Sequence, residues 1–206
     1  MFKTNFQPNK DQFCLYVQIT CPGAREFRVI AKDKDLPKSS YSDRVIKVEN
    51  KRIVHISFPI RPKNLVIEVF DFKNPEFKDF EVILIEGNLI RYNIYLDNAA
   101  AQFVKLATDF SKICGAENGS PQGRVFKNDD SPFQITYFDT IRQNGKEIST
   151  PARISHRTGI IEVSKKHFDK YTIPMRMIIL LHEFSHKFRN PGIGLKIEDE
   201  IGADIN

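Results

Sequence analysis

The sequence predicts a two-domain chain: an all-β sandwich of immunoglobulin-like architecture over residues 1–96, followed by a small α+β domain over residues 97–206. Three observations predict it. Seven short β-rich runs come first, several alternating apolar with polar residues, as a sandwich built of short strands requires. Around Asp97 the apolar period lengthens from that of a strand to that of a helix. Finally, 206 residues with 41% hydrophobic content suffice for one large core or two small ones.

The seven runs are QFCLYVQIT, EFRVIA, DRVIKVEN, RIVHISF, NLVIEVFDF, FEVILIE and LIRYNIYL. Turn signals separate them at Pro22-Gly23, Asn50-Lys51, Pro59, Pro62 and Asn74-Pro75. No catalytic cluster falls among them, and their one histidine, His55, has no neighbour suited to share a metal. In DNAAAQFVKLATDFSKICGA, the residues Ala100, Phe103, Val104, Ala107, Phe110 and Ile113 recur at helical spacing. Asp97 or Asn98 is its cap and Gly115 its stop. A polar loop over 115–132 leads to strands in FQITYFD, PARISH and GIIEVS, with a turn at Asn144-Gly145 between the first two. KKHFDKY suits a short helix. The last helix opens at Pro174, whose missing N–H costs nothing in a first turn, and Pro191-Gly192 closes it about four turns later.

Composition narrows the function classes. No run of about 18 apolar residues exists, and the N-terminal stretch has neither the apolar centre nor the cleavage site of a signal peptide. The expected location is the cytoplasm or a multi-protein particle. Cys14, Cys21 and Cys114 are odd in number and lack C-x-x-C spacing, so they are read as buried free thiols. The net charge of +5 comes mostly from residues 1–96, with 16 Lys+Arg against 12 Asp+Glu; residues 97–206 have 15 against 14. These cations are scattered, without a basic run or nucleic-acid motif, and describe a solvated surface.

Chemistry concentrates in LLHEFSHKFRNP, residues 180–191. On a helix, His182 and His186 stand at i and i+4 on one face, so their imidazoles can converge on one ion. Glu183 lies about 100° round the axis, placed to reach a water on that ion rather than to bind it. The rival reading is a core helix that carries two partly buried histidines. The apolar run MIILL before the motif argues against it, because unpaired histidines at a domain centre cost several kcal/mol of desolvation. Catalytic zinc commonly takes three protein ligands, and Glu198, Asp199, Glu200 and Asp204 follow downstream.

Together H-E-x-x-H and Glu200-Ile201-Gly202-Ala203-Asp204 resemble the gluzincin branch of zincin metallopeptidases, whose second motif is often E-x-x-A-D. The resemblance implies that His182, His186 and Glu200 bind Zn2+, that Glu183 is the general base, and that Asp204 orients His182. It covers residues 97–206 and implies a zincin-like domain with an edge strand, such as GIIEVS, free to pair with an extended peptide. The spacing agrees, since on a helix from about residue 197 Glu200 and Asp204 share a face. Two features depart from related patterns. Only thirteen residues separate His186 from Glu200, and Gly192 stands where a third-histidine pattern would continue, which excludes the metzincin type. The donor to the developing oxyanion is open among His156, Arg153, Tyr171 and His167.

The expected function is therefore zinc-dependent peptide hydrolysis on a peptide or protein substrate, with the β-rich half positioning substrate or docking a protein partner. The alternative is a non-catalytic zincin-fold module in the assembly of a multi-protein particle.

Overall fold

A computed structural model describes residues 1–89, 96–114, 125–129 and 131–188. The protein is mostly β with antiparallel sheets and a few helices, and it divides into two compact units, Met1–Asn93 and Ile94–Asn206.

The first unit contains β1 (Phe2–Phe6), β2 (Phe13–Asp33), β3 (Ser40–Phe58), β4 (Leu65–Asp71) and β5 (Glu81–Asn88). They form one antiparallel five-stranded sheet in the order β1-β4-β2-β3, with β5 also on β2. The seven sequence runs are therefore not seven strands. QFCLYVQIT and EFRVIA are the two halves of β2, while DRVIKVEN and RIVHISF are the two halves of β3. Pro22-Gly23 and Asn50-Lys51, expected as turns, form a corner within this long ribbon: pairing jumps from Thr20↔Lys51 to Ala24↔Glu49. Gly23 and Asn50 sit there at φ of 71° and 65°, the left-handed values a bulge uses to bend a strand. Beyond the corner β2 changes partner, pairing with β5 over Phe13–Thr20 and with β4 over Phe27–Asp33. The seventh run, LIRYNIYL, lies largely outside the described residues.

One face of this sheet is apolar and buried: Phe13, Leu15, Val17, Ile19, Phe27 and Val29 on β2, and Val54, Ile56 and Phe58 on β3. No helix belongs to the described residues of this unit, so the sheet covers that face by bending over itself. Tyr41 and Phe58 measure the bend. Seventeen residues apart on β3, they would be separated by about 55 Å in a straight strand. Their rings lie 5.6 Å apart.

The second unit begins with α1 (Asn98–Ile113), capped by Asp97, whose carboxylate accepts from the Ala100 N–H at 2.7 Å. A four-stranded sheet follows in the order β10-β11-β7-β6, from β6 (Val125–Lys127), β7 (Gln134–Phe138), β10 (Ala152–Ile154) and β11 (Ile161–Ser164). β7 and β11 are parallel; β6 and β10 run antiparallel to their neighbours. Asn144-Gly145 turns a two-residue hairpin, β8 (Arg142–Gln143) with β9 (Lys146–Glu147), both turn residues at positive φ. The short helix α2 (Lys165–Phe168) precedes α3 (Ile173–Lys187), which packs on α1, β10 and β11.

Two sequence expectations change here. GIIEVS becomes β11 and lies between β10 and β7; PARISH supplies one of the two edge strands, β10, with β6 at the other edge. α3 ends at Lys187 with Phe188 as its cap, ahead of Pro191-Gly192, so His186 stands in the last turn instead of mid-helix.

Candidate metal centre

Both ends of α3 are fastened on the side away from its histidines. Near the start, Arg176 has no exposed surface, and its guanidinium donates to the backbone oxygens of Phe168 (3.4 Å), Ser111 (3.1 Å) and Asp169 (2.9 Å). One side chain thereby ties α3 to the ends of α1 and α2. Near the finish, Phe184 stacks on Phe103 of α1 at 4.2 Å and on Phe188 at 4.6 Å, and Phe133 meets both Phe184 and Phe188 edge-on. Such offset and edge contacts are the preferred aromatic geometries, so the roll angle of the last two turns is fixed.

The opposite face carries the motif. The Nε2 atoms of His182 and His186 are 3.1 Å apart, with the rings nearly perpendicular at 88°. Two nitrogens bound tetrahedrally to one zinc at about 2.05 Å would be about 3.3 Å apart, so the pair fits that role with little movement. The same spacing suits a hydrogen bond between the two imidazoles, the rival structural reading. His182, Glu183 and His186 are half-buried. The desolvation argument from the apolar run is weaker than the sequence suggests, because α3 is one-sided: Met177, Leu180 and Phe184 are buried while Met175 and Ile178 are exposed.

Among the described residues no group of three His, Cys, Asp or Glu side chains could hold a metal ion. Glu200, Asp204, Glu198 and Asp199 lie outside the described residues. Of the three ligands implied by the resemblance, the described residues bring the ring nitrogens of two, His182 and His186, to 3.1 Å, and Glu183 follows His182 on the same half-buried stretch.

The four candidate oxyanion donors separate clearly. Arg153 is paired with Glu162 at 2.6 Å. His167 lies on α2, 3.7 Å from Glu147. Tyr171 is exposed ahead of α3. Only His156 stands beside the motif, its ring centroid 6.3 Å from that of His186.

Beside α3 runs the sheet edge. The Pro151 oxygen accepts from Ser164 at 2.9 Å and the Ser155 N–H donates to Ile160 at 3.0 Å, so the alternation of an antiparallel pair turns the backbone groups of Ala152 and Ile154 away from β11. The cysteines offer no rival chemistry: all three are buried and free, and burial pushes the Cys114 thiol up to about 12. No helix among the described residues is long and apolar enough to cross a membrane. Compared with known proteins, the chain matches no family model, no curated protein and no solved structure.

Proposed function

We propose that the second unit is a zinc metallopeptidase of the gluzincin type. The observation that carries this reading is the convergence of the His182 and His186 nitrogens at 3.1 Å on a helix fastened from behind, with Glu183 next to them. His182, His186 and Glu200 would hold the ion, with Asp204 orienting His182. A zinc ion bound there supplies an acidified water and a polarised carbonyl. Glu183 accepts the proton of the attacking water and passes it to the leaving amine as the C–O bond forms and the C–N bond breaks. The Ala152 oxygen of β10 already accepts from the Thr150 hydroxyl at 2.7 Å, which leaves the outward Ala152 N–H and the Ile154 backbone groups to pair with an extended peptide substrate and bring a main-chain carbonyl toward the histidine face.

The non-catalytic alternative draws on a different observation. On the outer face of the first sheet, exposed Ile53 and Ile83 flank Gln18, and His55 and exposed Ile85 flank Tyr16, an apolar patch across three strands suited to a protein partner. Such a patch serves an enzyme's docking domain as well as an assembly module.

Metal content measured beside cleavage of a broad peptide library, with and without chelator, separates them. Glu183→Gln is expected to keep zinc and lose at least about 100-fold in hydrolysis, as removal of a general base does. His182→Ala, His186→Ala and Glu200→Ala are each expected to lose zinc, and Glu198→Ala to retain it. A metal-free purified chain would defeat both zinc readings, and bound zinc without cleavage would favour the assembly module.

A further inference from the structure

The turn between β10 and β11 is more tightly built than a connection at a sheet end requires. Within it, the Ser155 oxygen accepts from Gly159 at 2.7 Å, the Ser155 hydroxyl from Thr158 at 3.2 Å and the Thr158 hydroxyl from Ile160 at 3.3 Å. From outside, Lys187 Nζ donates to the backbone oxygens of both His156 (2.7 Å) and Arg157 (3.0 Å). Gly159, at φ 77°, lies so close to the helix end that an added Cβ would come within 3.1 Å of Phe188 and 3.3 Å of Lys187. The turn is thus bolted to the last turn of α3, the turn that carries His186.

What this bolting holds in place is the backbone of His156 and Arg157. His156 is exposed, with its ring inclined at 69° to that of His186 and 6.3 Å from it. Its ring lies farther from that of His186 than the ring of His182 does, 6.3 Å against 4.7 Å. It also follows the outward-turned backbone of β10 by two residues, at the end of the strand where a paired peptide would meet α3. An imidazole keeps at least one N–H in either charge state, so a donor is available there at any working pH.

On the metallopeptidase reading, on which this rests, we propose that His156 is a catalytic residue. Its ring N–H donates to the substrate carbonyl oxygen as that oxygen gains negative charge, and Lys187 acts as the positioning residue that holds the turn. Removing one such donor typically costs about 100- to 1,000-fold in kcat, because a preorganised hydrogen bond is worth most where charge develops.

The test uses the full chain with zinc, comparing His156→Ala, His156→Asn and Lys187→Met by zinc dialysis, library-peptide kinetics and binding of a phosphinic peptide, a tetrahedral mimic of the addition species. His156→Ala should keep zinc at full stoichiometry, lose about 100-fold in kcat with little change in KM, and bind the phosphinic peptide weaker by a similar factor. His156→Asn, which keeps an N–H donor, should recover part of both losses, and Lys187→Met should show a smaller loss of the same kind. Unchanged kcat and phosphinate affinity in His156→Ala would overturn the assignment while leaving the metallopeptidase standing. Loss of zinc from His156→Ala would make it a ligand and overturn it as well. A wild-type chain without zinc would remove the underlying reading and this one with it.

Discussion

Arg176 shows how much one side chain decides in this protein. A guanidinium with no exposed surface survives because backbone oxygens, those of Phe168, Ser111 and Asp169 among them, accept its protons. Burial holds its pKa below the usual arginine value, yet arginine stays charged in proteins, so the cost is borne by those bonds. Arg176→Lys keeps the charge but loses the planar fork that reaches three acceptors at once. Arg176→Lys and Arg176→Met are both expected to destabilise the second unit by about 3 kcal/mol or more, read from the urea midpoint of its helical signal. A midpoint within error of wild type would show that the three bonds contribute little. Residues of this sort are illegible in a sequence: MRMIIL reads as an apolar helix with one surface charge, and Ser111 lies 65 positions away. His182 and His186 were legible because their geometry is local, four residues on one helix. Glu200 and Asp204 lie outside the described residues, and His156 becomes distinguishable from Arg153, Tyr171 and His167 only through tertiary contacts.

Among elements, the β2–β3 ribbon carries the plainest lesson. Pro22-Gly23 and Asn50-Lys51 are good turn signals, and a one-dimensional reading counts each as a strand end. Facing one another across two paired strands, they instead bend the ribbon without breaking it, since proline's missing N–H is tolerated at a bulge. The apolar alternation therefore holds on both sides of the corner, while four sequence runs make two strands. Gly23 allows a clean test, because nothing lies within 4 Å of an added Cβ and its φ is 71°. Gly23→Ala meets no clash and pays only for the left-handed backbone, an expected loss of about 1–2 kcal/mol in the stability of the first unit. Chemical denaturation of the variant measures it; an unchanged or raised midpoint would mean that the corner adjusts to another backbone conformation. Near the other end of the chain, α3 stops short of its sequence signal. Pro191-Gly192 marks where a helix can no longer continue, but Phe188 leaves helical geometry earlier, at φ −105° and ψ 76°, with its ring against Phe133 and Phe184.

At the scale of the whole chain, each unit has its own buried apolar centre, and the candidate centre belongs to one of them. An ion that binds only the folded state stabilises by an amount set by its concentration over its Kd, about 2.7 kcal/mol at a hundredfold excess. That stabilisation falls on the cooperative unit holding the ligands. In the first unit, His55 is the only histidine and its sheet carries none of the proposed ligands, so zinc should not change its opening. Hydrogen exchange read peptide by peptide is therefore expected to rise on chelation in α1, α3 and the β10–β11 turn, with β2 and β3 unchanged. The largest rise belongs to residues 180–188, which carry His182 and His186 and would lose the ion between them. Equal increases in β2 and β3 would show that the two units open together. Unchanged exchange in α3 would show that no ion contributes to its stability, and the 3.1 Å contact between the two imidazoles would then be the hydrogen bond of an ordinary helix.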